Sequence, residues 1–273
     1  ASYAEYLMLE HLYPGSEASD MASRHNNIMS QPGGSVWVQD SLNDGSIFSG
    51  RLVYDKGAAI VHTLRFLIDN DTIFYHALKE YQSIFVDSTA SGIELIEVFE
   101  NESGKDLSNF TDEWYFGEGY PTYSVRWNSV GSDLLLEINQ TTSRPAVTPF
   151  FTNDLELRFD RSGVADTTIR FEVTGTQNQF IIPNASNYIN ILLIDPNNWI
   201  INKTNGIVKD IQFTALGLEE NTLQNQLSIY PNPASGPVTI EMGVSGDYSL
   251  ILMDQKGSKL LSKEFNGSTV LDM

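Results

Sequence analysis

The period of the hydrophobic pattern changes at Pro121, and this change constrains the fold of the chain more than any other feature. Before Pro121, apolar residues recur three and four positions apart, as in "GAAIVHTLRFLI", where one helical stripe runs from Ile60 to Ile68. After it, "DLLLEIN", "LELRF" and "IRFEV" alternate between apolar and polar residues. Such alternation is typical of strands with one buried face. The sequence therefore predicts an α+β chain in which helices precede strands.

About five helices are predicted before the change. "ASYAEYLMLEHLYPG" is apolar nearly all round and ends at Pro14, as a buried helix would. "NDTIFYHALKEYQSIF" follows the stripe above, with Asn70 or Asp71 as its N-cap, and "SGIELIEVFENESG" and "DLSNFTDEWYFGEG" predict two more. Residues 16–49 are polar and rich in Gly, Ser and Asn, which predicts a long loop, a kind of segment that is often functional.

Two β units are predicted after the change. In the first, Leu155, Leu157 and Phe159 face one side of a strand, and "YINILLID" and "GIVKDIQF" complete a β-sandwich of short strands. A polar linker separates it from a second, smaller β unit, whose chain stops without a closing strand. We therefore expect a multidomain chain with four segments: 1–121, 122–216, the linker 217–226, and 227–273.

Composition excludes several classes of function. The 273 residues include 16 basic and 35 acidic side chains, for a net charge of −19, which repels phosphate backbones and argues against a nucleic-acid partner. There is no cysteine, hence no disulfide, thiolate metal site or cysteine nucleophile. No apolar run approaches the roughly 20 residues that span a bilayer. The chain begins without Met and directly in helical pattern, as a piece of a longer protein would.

The sequence shows no catalytic centre built from its own residues. The four histidines lie in separate segments without an H-x-x-x-H pair, so we assign no metal ligand. A phosphate-binding G-x-x-x-x-G-K-[ST] is absent. A Ser-His-Asp triad stays open, although no G-x-S-x-G elbow supports one.

Three collinear stretches resemble the aminopeptidase N family of zinc metallopeptidases, which are of the gluzincin type. "VYDKGAAIVHTLRFLIDNDTIFYHALKEY" resembles the Tyr-x-Lys-Gly and two helices that follow the family's active site. "ASYAEYLMLEHLYPG" resembles the segment after its third zinc ligand, and "WYFGEGYP" resembles the Trp-x-x-x-x-Gly-x-Pro that precedes its β-domain. The resemblance extends over residues 1 to about 215. It implies that residues 1–121 are the helical remnant of a thermolysin-like catalytic domain.

The resemblance implies an aminopeptidase that hydrolyses peptide substrates with zinc-activated water. Tyr54 then matches the catalytic tyrosine, whose phenol is protonated at neutral pH and donates a hydrogen bond to the oxyanion. The family's H-E-x-x-H and its zinc-binding glutamate are absent from the sequence, and by the family's register they precede Ala1. We therefore expect zinc in the intact protein, but none at the family site of this chain alone, and no peptide cleavage by it.

Three neighbours of the expected site have predicted roles. Glu5 matches an acidic residue of the family and could orient a zinc-bound histidine without touching the metal; the alternative is a solvated or salt-bridged helix glutamate. Lys56 is expected to make a local ion pair, and Gly57 to permit close helix packing.

Residues 227–273 resemble the C-terminal sorting domain of the type IX secretion system of Bacteroidota. The hallmark Tyr-Pro-Asn-Pro stands at residues 230–233, followed by Val238, Ile240 and Met242 on one strand face. "LILMDQKGSKLLS" fits the family's hairpin with a glycine at the turn, but the final strands are missing, which predicts a truncated small β-sandwich. The resemblance implies the secretion machinery as a partner and export through the outer membrane, to the medium or the cell surface. The alternative is a proline-rich linker into a small β-domain.

A second class of function stays open for the whole chain. Helices and a β-sandwich ahead of a sorting domain also suit a non-catalytic, secreted binding or adhesion module. An H-E-x-x-H upstream of Ala1 would favour the enzyme, and a degenerate motif there the module.

Overall fold

The computed structural model describes most of the chain. The described residues are 2–215, 227–230, 236–242, 246–253 and 259–271. They divide into two compact units, residues 1–214 and 215–273, each of which is considered by itself. None of the helices among these described residues is long and apolar enough to cross a membrane.

The first unit begins with helices. They are α1 (Ser2–Leu12), α2 (Ser16–Ile28), α3 (Asp44–Ile47), the π-helix π1 (Gly50–Lys56), α4 (Gly57–Ile68), α5 (Asp71–Ile84), α6 (Gly92–Ser103), the one-turn α7 (Ser108–Phe110) and the π-helix π2 (Thr111–Tyr115). Asn70 is the N-cap of α5, because its side chain accepts hydrogen bonds from the amides of Thr72 and Ile73. A capping box of Ser91 and Glu94 begins α6.

The prediction of one long loop over residues 16–49 is wrong. That stretch contains α2 and the short α3. Helix α2 is not recognisable in the sequence, because the buried face of this helix combines Met21 and Ile28 with Arg24 and His25. A helix that buries polar side chains lacks the apolar stripe from which helices are recognised.

Seven strands follow in the first unit. They are β1 (Pro121–Val130), β2 (Asp133–Thr142), β3 (Asn153–Arg161), β4 (Thr167–Val173), β5 (Gln177–Ile182), β6 (Tyr188–Ile194) and β7 (Lys203–Lys209). They form a sheet of order β5-β2-β1-β7 and another of order β4-β3-β6. Within them only the described pair β1 and β7 runs parallel. The α+β class is thereby confirmed.

The inner faces of the two sheets contribute to one core. Leu155, Leu157 and Phe159 of β3 are fully buried, as their alternation predicts. The rings of Phe171 in β4 and Phe180 in β5 lie 4.9 Å apart and bring the two sheets into contact. Such interdigitation of inner-face side chains is how paired sheets exclude water.

Helices and sheets of the first unit share that core. Trp114 of π2 is fully buried against Phe151, with ring centroids 4.3 Å apart. Phe66 of α4 stacks on Trp199 at 5.3 Å, and the guanidinium of Arg170 lies 3.9 Å from the Phe66 ring centroid. The change at Pro121 is therefore a change of secondary structure within one compact unit.

The second unit consists of short strands. They are β8 (Leu227–Tyr230), β9 (Val238–Met242), β10 (Asp247–Met253), β11 (Lys259–Asn266) and β12 (Ser268–Leu271), in sheets of order β12-β9-β8 and β10-β11. Val238 and Ile240 are buried on one face of β9 and cluster with Leu271. Residues 231–235, with three of the four hallmark residues, and the predicted hairpin turn at Gly257 lie outside the described residues.

Candidate functional site

Tyr54 lies in the last turn of π1, three residues before α4 begins at Gly57. The Ser49 hydroxyl caps π1 by accepting a hydrogen bond from the amide of Leu52, and the amide of Tyr54 donates to the carbonyl of Ser49, five residues back. Its side chain is 42% exposed, so the phenol can meet a molecule from solvent. Single π-helical turns occur frequently at functional sites.

Tyr54 contributes to the wall of an apolar cavity of about 340 Å³. The first turn of α1, α4, α6 and π2 supply other parts of the wall, including Tyr3, Val61, Leu95 and Tyr115. Pockets of a few hundred cubic ångströms with mostly apolar walls are typical binding sites for small molecules and side chains. The structure therefore places the one predicted catalytic side chain at a cavity rather than on a featureless surface.

Arg24 of α2 connects this region to Glu5. Its guanidinium donates to Glu5 Oε2 at 2.7 Å, to Asp20 Oδ2 at 2.8 Å and to Asp55 Oδ1 at 3.1 Å. Although burial opposes its charge, hydrogen bonds to Asp20 and Glu5 raise the pKa of Arg24. Glu5 is thus a salt-bridged helix glutamate, whatever further role it has, and the same cation holds the residue that follows Tyr54. Sequence reasoning missed Arg24, and the pair Asp20 and Arg24 at helical i, i+4 spacing was the available signal.

Lys56 does not make the predicted ion pair. Its ammonium is buried and donates to the carbonyl oxygens of Gly34 at 2.9 Å and Gly117 at 3.3 Å. No carboxylate of the described residues lies within 4.0 Å of it. Burial lowers the pKa of Lys56 to about 8, with the Arg51 charge acting in the same direction and Glu118 opposing it. Since both acceptors are backbone groups of distant loops, no local charge pattern could reveal them.

Gly57 has a different role from the one predicted. A Cβ at this position would meet nothing within 4 Å, so the glycine is not required by a close helix contact. It lies instead in the wall of the cavity, where a side chain would project into open space.

Two histidines of the first unit, His25 and His62, are buried, and His62 contacts Tyr3 of the cavity wall. Nδ1 of His62 is 3.1 Å from the Tyr3 hydroxyl, while Nε2 of His62 and Nε2 of His25 have no hydrogen-bond partner among the residues that the structure describes. Burial lowers the pKa of His25 to about 4 and that of His62 to about 3, with His25 and Arg65 adding to the effect on His62. Both imidazoles are therefore neutral at physiological pH.

The described residues do not fit a zinc centre with three protein ligands. Nowhere in the described part of the chain do three or more His, Asp or Glu side chains come together in a way that could hold a metal ion. No chemical step is therefore assigned to zinc on the residues of this chain.

Two parts of the chain match known protein families, one in each structural unit. Residues 1–114 match the Peptidase family M1 domain, and residues 228–272 match the Secretion system C-terminal sorting domain. Over 86 residues the chain is 34% identical to Aminopeptidase N of Lactococcus lactis subsp. lactis, covering 32% of this chain and 10% of that protein. Both resemblances seen in the sequence are thereby confirmed.

A solved structure shares the fold. Legionella pneumophila aminopeptidase A, in complex with aspartic acid, matches with a TM-score of 0.57 at 16% identity, over 75% of this chain and 23% of that one. The chain therefore spans about a tenth of the curated relative and about a quarter of the solved one. The sorting domain indicates export to the cell surface or secretion.

Proposed function

We propose that this chain is the C-terminal part of a secreted, zinc-dependent aminopeptidase in which Tyr54 stabilises the oxyanion formed during peptide hydrolysis. The observation that carries the proposal is the position of Tyr54. It lies within residues that match the M1 domain, in the last turn of π1 and in the wall of an apolar cavity.

The chemistry of a phenol supports this role. A phenol keeps its proton at neutral pH and donates one hydrogen bond, which is what the negative oxygen of a tetrahedral intermediate requires. Removal of one such donor typically costs about 2.7–4 kcal/mol of transition-state stabilisation. Tyr54 is also partly exposed at the cavity, as a residue that contacts a substrate must be.

Zinc would come from ligands that this sequence does not contain. The 273 residues include no H-E-x-x-H, and the chain spans about a tenth of the curated aminopeptidase it matches. We infer that the chain alone neither holds zinc at the family site nor cleaves peptides. Metal analysis of the purified chain and an assay with amino-acid arylamides test this inference, and stoichiometric zinc together with turnover would contradict it.

The role of Tyr54 is tested in the longer protein that carries an H-E-x-x-H. Tyr54→Phe should lower kcat about 100- to 1,000-fold with little change in KM, because the lost hydrogen bond forms in the transition state. Tyr13→Phe is the matched control, since Tyr13 is an exposed tyrosine outside the cavity wall. An unchanged kcat in Tyr54→Phe would remove this residue from the mechanism. A degenerate zinc motif in the longer protein would instead favour the non-catalytic secreted module.

The finer assignments belong to the same proposal. Glu5 would orient a zinc-bound histidine through Oε1, since Oε2 receives the hydrogen bond from Arg24. Residues 1–121, 122–216 and 227–273 would be the helical part of the catalytic domain, a β-sandwich and the sorting domain. The sorting domain would be read by the type IX secretion machinery.

A further inference from the structure

Lys56 joins three segments of the first unit through its buried ammonium. It is the last residue of π1, and it donates hydrogen bonds to the carbonyls of Gly34 and Gly117. Gly34 belongs to the loop between α2 and α3, and Gly117 follows π2 by two residues. Its acceptors are 22 and 61 residues away along the chain, so these bonds are purely tertiary.

The loop that contains Gly34 is held on its other side by the end of π2. The Ser35 hydroxyl and the Trp37 amide both donate to the Tyr115 carbonyl, at 2.7 and 3.2 Å. The Gly34 amide donates to Glu118 Oε2 at 3.1 Å. The loop therefore contacts both π1 and the end of π2. Lys56 of π1 donates hydrogen bonds both to this loop, at Gly34, and to the residues after π2, at Gly117.

These three segments each supply part of the cavity wall. Tyr54 comes from π1, Val36 from the loop and Tyr115 from π2. Lys56 is two residues from Tyr54, and its ammonium is buried, so that a shift of its acceptors is transmitted to the turn that carries the phenol. A buried ammonium with two carbonyl acceptors makes charge-assisted hydrogen bonds, which are stronger than neutral ones.

We propose that Lys56 is a positioning residue for Tyr54: by binding the carbonyls of Gly34 and Gly117 it fixes the turn that presents the phenol to the cavity. This inference rests on the proposed function for its catalytic meaning, but the positioning itself is a property of the chain.

The protonation state of Lys56 should control the strength of its hydrogen bonds to the carbonyls of Gly34 and Gly117. Burial and the neighbouring Arg51 lower the pKa of Lys56 to about 8, while Glu118 opposes the change. Loss of the proton leaves a neutral amine, which is a weaker hydrogen-bond donor than an ammonium. Raising the pH through about 8 should therefore loosen the contacts with Gly34 and Gly117.

Tyrosine-labelled NMR of the whole 273-residue chain tests the proposal, with the Tyr54 signal identified by its loss in Tyr54→Phe. In the parent protein, the Tyr54 ring signal should shift with a midpoint near pH 8. In Lys56→Met the Tyr54 signal should have, at every pH from 7 to 9, the chemical shift that the parent signal reaches only above pH 8. Hydrogen exchange of the Trp37 amide should be about tenfold faster or more in this variant than in the parent. Lys56→Arg should restore most of the parent signal without the midpoint.

Lys105→Met is the matched control, because the Lys105 ammonium also binds a backbone carbonyl, that of Leu67, but is exposed and lies outside the cavity wall. It should leave the Tyr54 signal and its midpoint unchanged. A Tyr54 signal in folded Lys56→Met that matches the parent at every pH would overturn the proposal. If Lys56→Met does not fold, a parent signal without a midpoint near pH 8 would overturn it equally. These readouts need no turnover and no metal, so a failure of positioning is distinguishable from a failure of the proposed function, which shows in metal content and in kcat.

Discussion

The buried imidazole of His62 should make the first unit sensitive to acid. Burial lowers the pKa of His62 to about 3, against about 6.5 in an unfolded chain. Because the folded state takes up the proton only at lower pH, the unfolded state binds more protons below pH 6.5. The stability associated with neutral His62 is therefore present above pH 6.5 and is lost as the pH falls toward 3.

The magnitude follows from the distance in pH below the unfolded-state pKa. At pH 5 that distance is about 1.5, and each pH unit corresponds to about 1.36 kcal/mol, so His62 should remove about 2 kcal/mol of unfolding free energy relative to pH 8. His62→Phe should abolish this loss, since phenylalanine does not titrate and keeps an aromatic ring against Trp199, on which His62 stacks at 4.5 Å. The lost contact with the Tyr3 hydroxyl is a cost at both pH values.

Urea unfolding at pH 8 and pH 5, followed by tryptophan fluorescence, measures the effect. The four tryptophans all lie in the first unit, at positions 37, 114, 127 and 199. Buried Asp195 acts in the opposite direction, because burial raises its pKa to about 7 and its contribution is lost as the pH rises. It is present in parent and variant alike, so the tested quantity is the difference between the two proteins.

The parent should lose about 2 kcal/mol more than His62→Phe between pH 8 and pH 5. His11→Gln is the matched control, because His11 is exposed in the last turn of α1, and it should change the pH dependence by less than about 0.5 kcal/mol. Equal losses in the parent and in His62→Phe would refute the assignment of a strongly lowered pKa to His62.

Three further substitutions probe the framework by urea unfolding. Arg24→Met should lower the free energy of unfolding by about 2–3 kcal/mol, because it leaves Asp20 and Asp55 without their cation. Arg158→Met, which removes an exposed ion pair with Asp166, should lower it by less than about 1 kcal/mol. Equal losses in the two variants would show that burial of Arg24 does not matter. Phe159→Ala should cost about 3–5 kcal/mol because Phe159 is fully buried between the sheets, and a cost under about 1 kcal/mol would contradict its place in the core. Ser91→Ala should lower the free energy of unfolding by about 1 kcal/mol, because it removes the capping box of α6. An unchanged free energy of unfolding would show that the capping box does not stabilise the fold.

Local patterns predicted most of the regular structure. The stripe over α4, the Asn70 cap of α5 and the alternation in β3 are each encoded within a few neighbouring residues, and each appears as expected. Helix α2 was missed because its buried face includes Arg24 and His25, whose suitability for burial depends on partners elsewhere in the chain. Strands β1 and β5 were not singled out as strands either, and the parallel pairing of β1 with β7 joins residues about 80 positions apart, which no local period encodes.

The candidate site divides in the same way. Tyr54 was recognisable from the Tyr-x-Lys-Gly string, since a motif records residue types at short spacing. The supporting contacts were not, because Arg24 reaches Glu5 and Asp55 over 19 and 31 residues, and Lys56 reaches carbonyls that have no sequence signature. Lys56 and Gly57 were accordingly assigned wrong local roles.

The sequence by itself determined the order of helices before strands, the exclusion of cysteine chemistry and the sorting domain at the C-terminal end, and it supplied the prediction that Tyr54 is catalytic. These depend on residue type and near-neighbour spacing, which the chain carries in any conformation. Only the tertiary structure decided that Tyr54 lies on a π-helical turn in the wall of an apolar cavity. It also decided that the buried Arg24 donates a hydrogen bond to Asp55, and that Lys56 donates to the carbonyls of two distant segments. Hydrogen bonds, ion pairs and burial depend on distances in space, and the folded chain alone sets those distances.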